Sequence, residues 1–115
     1  MNRSKYHAKP RLVGGIRFAS TAEAIRFSSL EVEQRLGDIS GLRLQVPYSL
    51  KVGETTIGKY VADFVYIRGG IEVIEDVKGV LTPLCAWKLK HMAAQGNTVS
   101  LYPPMKPKKR KKATK

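Results

Sequence analysis

At 115 residues the chain is long enough for one hydrophobic core and too short for two. Hydrophobic residues make up 43% of it, as in ordinary folded domains, and no apolar run approaches the roughly 20 residues of a membrane-spanning helix, which argues against a membrane protein. Twenty-one Lys and Arg against nine acids give a net charge of +12, which favours a polyanionic partner, nucleic acid before a membrane surface.

The sequence predicts one folded domain, residues 16–102, between two basic segments. Residues 1–15 form a basic arm that lacks the apolar stretch of a signal peptide, and Cys85 is the single cysteine, so a cytoplasmic location is expected. Residues 103–115 carry seven positive charges and no acid, a composition typical of disorder. This tail is expected to attract DNA phosphates in a salt-sensitive way, through Lys106, Lys108, Lys109, Arg110, Lys111 and Lys112.

A helix is predicted over residues 20–37. Ser20 is a suitable N-cap, Glu23 stands at the capping-box spacing, and Gly37 suits the left-handed position that ends many helices. The apolar stripe expected to face the core contains Ile25, Val32 and Leu36.

Three strands are predicted next. Residues 42–51 alternate, with apolar side chains on one face and Gln45 on the polar face. Residues 59–68 and 71–79 flank Gly69-Gly70, the signature of a two-residue hairpin turn. The three strands therefore predict a sheet whose last two members form a hairpin.

A second helix is predicted over residues 82–96, followed by a strand over 97–103. Thr82 suits the N-cap and Pro83 the first helical position. The helix joins two strands as a βαβ unit, which requires them to be parallel. The predicted fold class is therefore α/β (α+β), with the order α-β-β-β-α-β and a mixed sheet flanked by helices. The side chains of this second helix that are expected to pack in the core are those of Cys85, Trp87, Leu89, Met92 and Ala93.

The two-glycine turn also fixes the register of the hairpin, since a two-residue turn pairs the residues on either side of it. Asp63 then lies directly opposite Asp76, and Lys78 emerges on the same face, opposite Val61. Glu75 falls on the other face of the sheet, among Phe64, Tyr66, Val73 and Val77.

Directly opposed positions have Cβ atoms about 4.5–5.5 Å apart, where like charges are destabilising. A shared proton, a cationic neighbour or a divalent metal must therefore neutralise Asp63 and Asp76. Two carboxylates with open positions suit Mg²⁺, for which Mn²⁺ can substitute. Lys78, beside a metal-bound phosphate, would orient or help deprotonate the attacking water and stabilise charge on phosphorus. The three residues together predict phosphodiester hydrolysis.

At these residues the chain resembles known nucleases. The segments YVADF (60–64) and EDVKG (75–79) are similar to the D…(D/E)xK signature of the PD-(D/E)xK, restriction-endonuclease-like superfamily. The segment FASTAEAIRF (18–27) resembles the helix in which that superfamily often places a further glutamate. From about residue 5 to residue 102 the pattern is similar to a family of small phage and prophage endonuclease-like proteins with a domain of unknown function. More distantly, it is similar to phage Holliday-junction resolvases.

The resemblance implies a Mg²⁺-dependent DNA endonuclease in which Asp63 and Asp76 bind the metal, Lys78 serves catalysis and Glu23 completes the site. It implies a branched or structured DNA substrate, a bacterial or phage-infected cytoplasm, and a homodimer, since two cuts need two sites. Two positions depart from the signature: Ala62 replaces the proline, and the second acid is Asp76 rather than the longer glutamate.

Other interpretations of these residues stay open. Capping alone would explain Glu23, and Asp63 and Asp76 could be solvated acids paired with Lys78 or Arg43. Glu75 would replace Asp76 if a bulge shifted the strand by one residue. Polar side chains elsewhere, Gln45 among them, could contact the site or the substrate. The alternative function is a non-catalytic nucleic-acid-binding protein with a degenerate nuclease fold.

Overall fold

The computed structural model describes residues 11–13 and 15–104. The first ten residues of the predicted arm and the six tail cations lie outside the described residues. The described elements are β1 (Arg11–Val13), β2 (Ile16–Phe18), α1 (Thr21–Arg35), β3 (Ser40–Val52), β4 (Thr55–Arg68), β5 (Ile71–Val77), α2 (Pro83–Ala94) and β6 (Val99–Tyr102).

The central sheet has four strands in the order β3-β4-β5-β6. β3, β4 and β5 pair antiparallel, whereas β5 and β6 pair in parallel across the α2 connection, so the predicted mixed sheet is confirmed. A separate antiparallel hairpin, β1-β2, precedes α1 and begins inside the predicted basic arm, residues 1–15. Within the described residues, neither helix combines the length and apolar character needed to cross a membrane.

The turn between β4 and β5 has the predicted form. Gly69 and Gly70 both have positive φ, +59° and +77°, which side chains rarely tolerate and which a two-residue hairpin turn requires. Arg68 pairs with Ile71, and the predicted register continues unbroken as far as Phe64–Glu75. The two-glycine turn therefore determines the cross-strand register, and with it which acid of β4 lies close to which acid of β5.

One face of the sheet packs against α1. This α1-side cluster contains Phe18, Ala24, Phe27, Leu30, Ile39, Phe64 and Tyr66. The predicted stripe of α1 is wrong: Ile25, Val32 and Leu36 are 65%, 49% and 72% exposed. Two apolar stripes compete on this helix, and the one that buries Phe27 wins because its ring meets Phe18, with centroids 4.9 Å apart.

The other face packs against α2. This α2-side cluster contains Leu50, Tyr60, Ala62, Val65, Ile74 and Met92. Leu89 joins it as predicted, but Ala93 is exposed and Trp87 is 48% exposed, so the helix buries a narrower stripe than the sequence suggested. Polar side chains fix α2 to the sheet edge: Gln95 accepts from the backbone N–H of Lys51 at 2.6 Å.

β3 and β4 both change face at the same level of the sheet. Residues two apart on a regular strand share a face, yet Leu44 packs in the α1-side cluster and Val46 in the α2-side cluster. Gln45 between them has φ +51°, a left-handed conformation unusual for a residue with a side chain. Their partners on β4, Phe64 and Ala62, are divided between the clusters in the same way. The predicted acids lie beside this irregularity.

Candidate active site

β4 and β5 stop pairing next to the predicted acids. Their last paired residues are Phe64 and Glu75, and the next residue on each strand is Asp63 and Asp76. The N–H of Asp63 donates to Oδ1 of Asp76 at 3.3 Å, and the N–H of Val77 donates to Oδ2 of Asp63 at 2.9 Å. The two carboxylates thus lie side by side, as the register predicted, and satisfy backbone amides where the strands diverge.

The predicted pairing beyond this point does not form. Val61 pairs with Pro47 of β3 and has no partner on β5, while the N–H of Lys78 donates to the carbonyl of Tyr102 on β6 at 3.1 Å. The register prediction therefore holds up to the acids and fails after them, because the change of face in β4 turns the strand away from β5.

Both acids are withdrawn from water. Asp63 is 9% exposed and Asp76 only 1%. Burial, followed by a hydrogen bond to Asp76, raises the pKa of Asp63 to about 7, and the charges of Asp76 and Glu23 act in the same direction. The side chain of Asp63 therefore stays protonated up to about neutral pH.

Lys78 lies against the pair on the predicted side. Its Nζ is 3.1 Å from Oδ2 of Asp76. Burial by itself would lower the pKa of Lys78, but the negative charge of Asp76 outweighs it and raises that pKa above the ordinary value. The ammonium therefore stays protonated, which suits stabilising negative charge better than accepting a proton from water. The contact lacks hydrogen-bond geometry, so Oδ2 of Asp76 is buried without a hydrogen-bond partner among the described residues.

Glu23 reaches the same electrostatic environment from α1. Its N–H donates to Oγ of the N-cap Ser20 at 3.1 Å, so half of the predicted capping box is present. Among the described residues its carboxylate has no hydrogen-bond partner. Burial raises the pKa of Glu23, the charge of Asp76 raises it further, and Lys78 lowers it. The backbone N–H of Glu23 is thus capped by Ser20, while its carboxylate interacts electrostatically with Asp76 and Lys78.

Gln45 contacts the pair from β3. Its Nε2 donates to Oδ1 of Asp63 at 3.3 Å. The unusual φ of +51° places this side chain where regular alternation would not, and a non-glycine residue in that region costs of order 1 kcal/mol. Sequence reasoning proposed Gln45 as a site contact, and the structure supplies the contact to Asp63.

Glu75 faces away from the acids, as its register position predicted. Its carboxylate accepts from Nε and Nη2 of Arg26 at 2.7 and 2.9 Å and from the hydroxyl of Tyr66 at 2.6 Å. Arg26 also lies over the ring of Tyr102, 3.9 Å from its centroid. No bulge shifts β5, so Glu75 does not replace Asp76. Instead, Glu75 links the sheet to α1 through Arg26, which lies three residues after Glu23 on that helix.

The family to which the chain belongs follows from comparison with protein-family models. The model described as "Protein of unknown function (DUF1064)" matches residues 3–114. The chain belongs to the DUF1064 family. No curated protein and no solved structure shows a significant match.

This DUF1064 protein has a cavity of about 410 Å³ between the acids and the start of α2. Asp76 and Lys78 form one wall, so the cavity opens onto the candidate site. The remaining lining residues, Lys59, Tyr60, Val61, Thr82, Leu84, Cys85 and Lys88, come from β4 and α2. Val61 and Lys78 share this cavity although they do not pair in the sheet.

The donor set of this DUF1064 protein fits a hard divalent cation in its chemistry. Asp76 offers a buried oxygen without a hydrogen-bond partner, and Asp63 and Glu23 add carboxylates whose pKa values respond to it. Within residues 11–13 and 15–104, no three His, Cys, Asp or Glu side chains already converge as a metal-binding group. Binding would therefore require the carboxylates to close on the ion and the ammonium of Lys78 to withdraw.

Sequence reasoning missed the cavity side of the site. Tyr60 is 4% exposed and lines the cavity, although strict alternation from Asp63 puts it on the opposite face. Lys59 and Lys88, which also line the cavity, are not among the predicted site residues. The one signal in the sequence was the predicted α2 N-terminus at Thr82, which lies at the cavity.

Proposed function

We propose that this DUF1064 protein is a divalent-cation-dependent DNA endonuclease of the PD-(D/E)xK kind, acting on branched or structured DNA. The observation that carries the proposal is the Asp63–Asp76 pair with Lys78 3.1 Å away, buried at the mouth of a basic cavity. A pair of buried carboxylates in which one oxygen has only an ion-pair contact, to Lys78, and no hydrogen bond is costly to a stable fold. A cation-binding role explains why it is kept.

Each residue has a role that follows from its surroundings. Asp63 and Asp76 would hold Mg²⁺ or Mn²⁺, with Glu23 as a third carboxylate, and the ion would activate water and polarise the phosphate. Lys78 stays protonated beside Asp76 and is placed to stabilise charge on a bound phosphate. Gln45 orients Asp63 through its amide donor.

The proposal extends to the setting of the reaction. The net charge of +12 supports DNA as the partner, with the basic tail supplying sequence-independent attraction to phosphates. A bacterial or phage-infected cytoplasm is the proposed location, and a homodimer the proposed assembly, because resolving a junction takes two cuts.

Cleavage assays test the proposal. Supercoiled plasmid and a four-way junction are incubated with the protein and Mg²⁺ or Mn²⁺, beside the variants Asp76→Asn and Lys78→Met. Both variants are expected to lose at least about 10²-fold in rate, since each removes charge from the reacting centre. The matched control is Glu72→Gln, an exposed acid on the same strand, which should cleave like the wild type. Equal cleavage by wild type and Asp76→Asn, or none with any substrate, refutes the proposal.

One observation favours the alternative, a nucleic-acid-binding protein without catalysis: the described acids do not yet form a metal-binding group. Calorimetric titration with Mn²⁺ separates the two functions. The nuclease requires a saturable site that Asp63→Asn and Asp76→Asn abolish and that Glu72→Gln keeps. The binding protein requires none, together with DNA affinity that is indifferent to both substitutions.

A further inference from the structure

The cavity beside Asp76, here called the α2 cavity, contains two lysines in addition to Lys78, the lysine assigned to the reacting centre. Lys59 and Lys88 line it from β4 and α2, and neither has an ion-pair partner among the described residues. Lys78 by contrast is already engaged with Asp76. Two uncompensated ammonium groups on one concave surface favour an anionic ligand, and in a DNA-binding protein that ligand is a phosphate.

The start of α2 adds to this field. Thr82 is the N-cap and lines the cavity, and the first turn of this 12-residue helix contains no acid. The positive end of the helix dipole is therefore uncompensated at the cavity.

A buried hydroxyl also lies at this point. Tyr60 lines the cavity and is 4% exposed, and its hydroxyl lies near the carboxylate of Asp76 without meeting hydrogen-bond geometry. Burial, and after it the charge of Asp76, raises the pKa of Tyr60. A buried donor with so poor a partner costs free energy, so a ligand oxygen in the cavity would give it a better one.

The α2 cavity is larger and less polar than a phosphate requires. Its volume of about 410 Å³ falls in the range of small-molecule sites, roughly 300–1,000 Å³. Val61 and Leu84 supply apolar wall, and Trp87, 48% exposed, lies one helical turn beyond Leu84 and next to Lys88. Proteins that bind single-stranded DNA combine these two kinds of surface: the bases pack on apolar and aromatic side chains, and the phosphates contact lysines.

We propose that the α2 cavity binds one unpaired nucleotide of a DNA strand, with its phosphate at Lys59 and Lys88 and its sugar and base against Val61 and Leu84. The inference rests on the proposed function for its substrate, since it places this nucleotide next to the bond that is cut. Bases stacked inside a continuous duplex cannot enter such a cavity. The protein therefore acts on DNA with unpaired nucleotides, such as flaps and junctions, in preference to plain duplex.

Binding without metal tests the cavity independently of cleavage. Fluorescence anisotropy in EDTA measures the affinity for a labelled 12-nucleotide single strand and for a duplex of the same length, over a range of KCl concentrations. The double variant K59Q/K88Q is compared with K51Q/K90Q, which removes the same charge from exposed lysines outside the cavity.

The cavity variant is expected to lose at least about 10-fold in single-strand affinity relative to its control. Its log–log salt slope should be shallower by about 0.7, the value expected for the loss of one phosphate contact to a single strand. Duplex affinity should fall equally in the two variants. Equal loss of single-strand affinity in both variants, or equal loss of single-strand and duplex affinity in the cavity variant, overturns the inference.

A cleavage arm separates this inference from the proposed function. On a 5′-flap substrate with Mg²⁺, K59Q/K88Q should raise KM about 10-fold with little change in kcat, whereas Asp76→Asn should lose kcat. If the wild type cuts no DNA while the binding difference persists, the nuclease proposal fails and the nucleotide site stands. If cleavage is intact and the variants bind single strands alike, the nucleotide site alone is refuted.

Discussion

Replacing Asp63 by asparagine should stabilise the metal-free protein at alkaline pH. Asp63 is buried beside Asp76, and its pKa is raised from 3.8 to about 7. An acid whose folded pKa is raised contributes stability at low pH and loses it as pH rises towards the folded value. Asparagine resembles the protonated acid: its amide oxygen can accept from Val77, its NH₂ can donate to Asp76, and Gln45 can rotate its own amide to match.

The magnitude follows from the pKa. A rise of about three units corresponds to about 4 kcal/mol at pH 8, at roughly 1.4 kcal/mol per unit. Because an amide only partly reproduces the hydrogen bonds of a protonated acid, one substitution should recover about half of this, or about 2 kcal/mol. At roughly 4–8 °C per kcal/mol for a domain of this size, Tm should rise by about 8 °C or more. At pH 5, about one unit above the unfolded pKa of 3.8, the same reasoning leaves about 0.8 kcal/mol, and the difference should vanish only below about pH 4.

Thermal unfolding in EDTA at pH 5 and pH 8, followed by circular dichroism, measures the effect. The control is Asp38→Asn, which changes the net charge equally at an exposed position. Adding Mn²⁺ should reverse the order, because the wild type gains a ligand that the variant binds poorly. A variant that is no more stable than the wild type at pH 8, or that differs equally at both pH values, refutes the electrostatic account of the pair.

Four further substitutions probe separate parts of the structure. Glu75→Ala should cost about 3–5 kcal/mol in urea unfolding, because the guanidinium of Arg26, 11% exposed, loses its close partner and keeps only a 3.8 Å contact with Glu33; a cost under about 1 kcal/mol would contradict this. Lys78→Met should lose cleavage yet bind Mn²⁺ as tightly as the wild type or more so, since its ammonium no longer competes for a carboxylate; weaker binding in calorimetry would count against it. Gln45→Gly should be more stable than Gln45→Ala by about 1 kcal/mol, the reverse of the usual order in a strand, because only glycine accepts the positive φ without strain. Phe27→Ala should cost about 3–5 kcal/mol and Ile25→Ala less than about 0.5 kcal/mol; similar costs would restore the stripe predicted from the sequence.

The parts of the fold predicted correctly are those that depend on local chemistry. Ser20 and Thr82 cap the two helices as their spacing indicated, each accepting from the N–H three residues on. The glycine turn set the hairpin register, and that register brought Asp63 beside Asp76 without any knowledge of tertiary structure. A turn of two residues leaves one pairing available, so a short segment was enough to locate the acids.

The errors came from features that only tertiary packing decides. α1 carries two apolar stripes, and composition does not reveal that Phe27 finds aromatic partners on β2 and β4 while Ile25 finds none. The change of face beside Asp63 depends on a positive φ at Gln45, a residue type that gives no warning of it. The cavity was missed for the same reason, since the change of face is what brings Tyr60 to the α2 side.

Three departures from the rules of stable folding meet at one place. Asp63 and Asp76 are buried together, Oδ2 of Asp76 lacks a hydrogen-bond partner among the described residues, and Gln45 is held at φ +51° with its amide on Asp63. Each costs of order 1 kcal/mol or more, and each would be removed by an ordinary substitution. Independent defects would be scattered through a domain; their convergence on one carboxylate pair supports the proposal that this pair binds a cation.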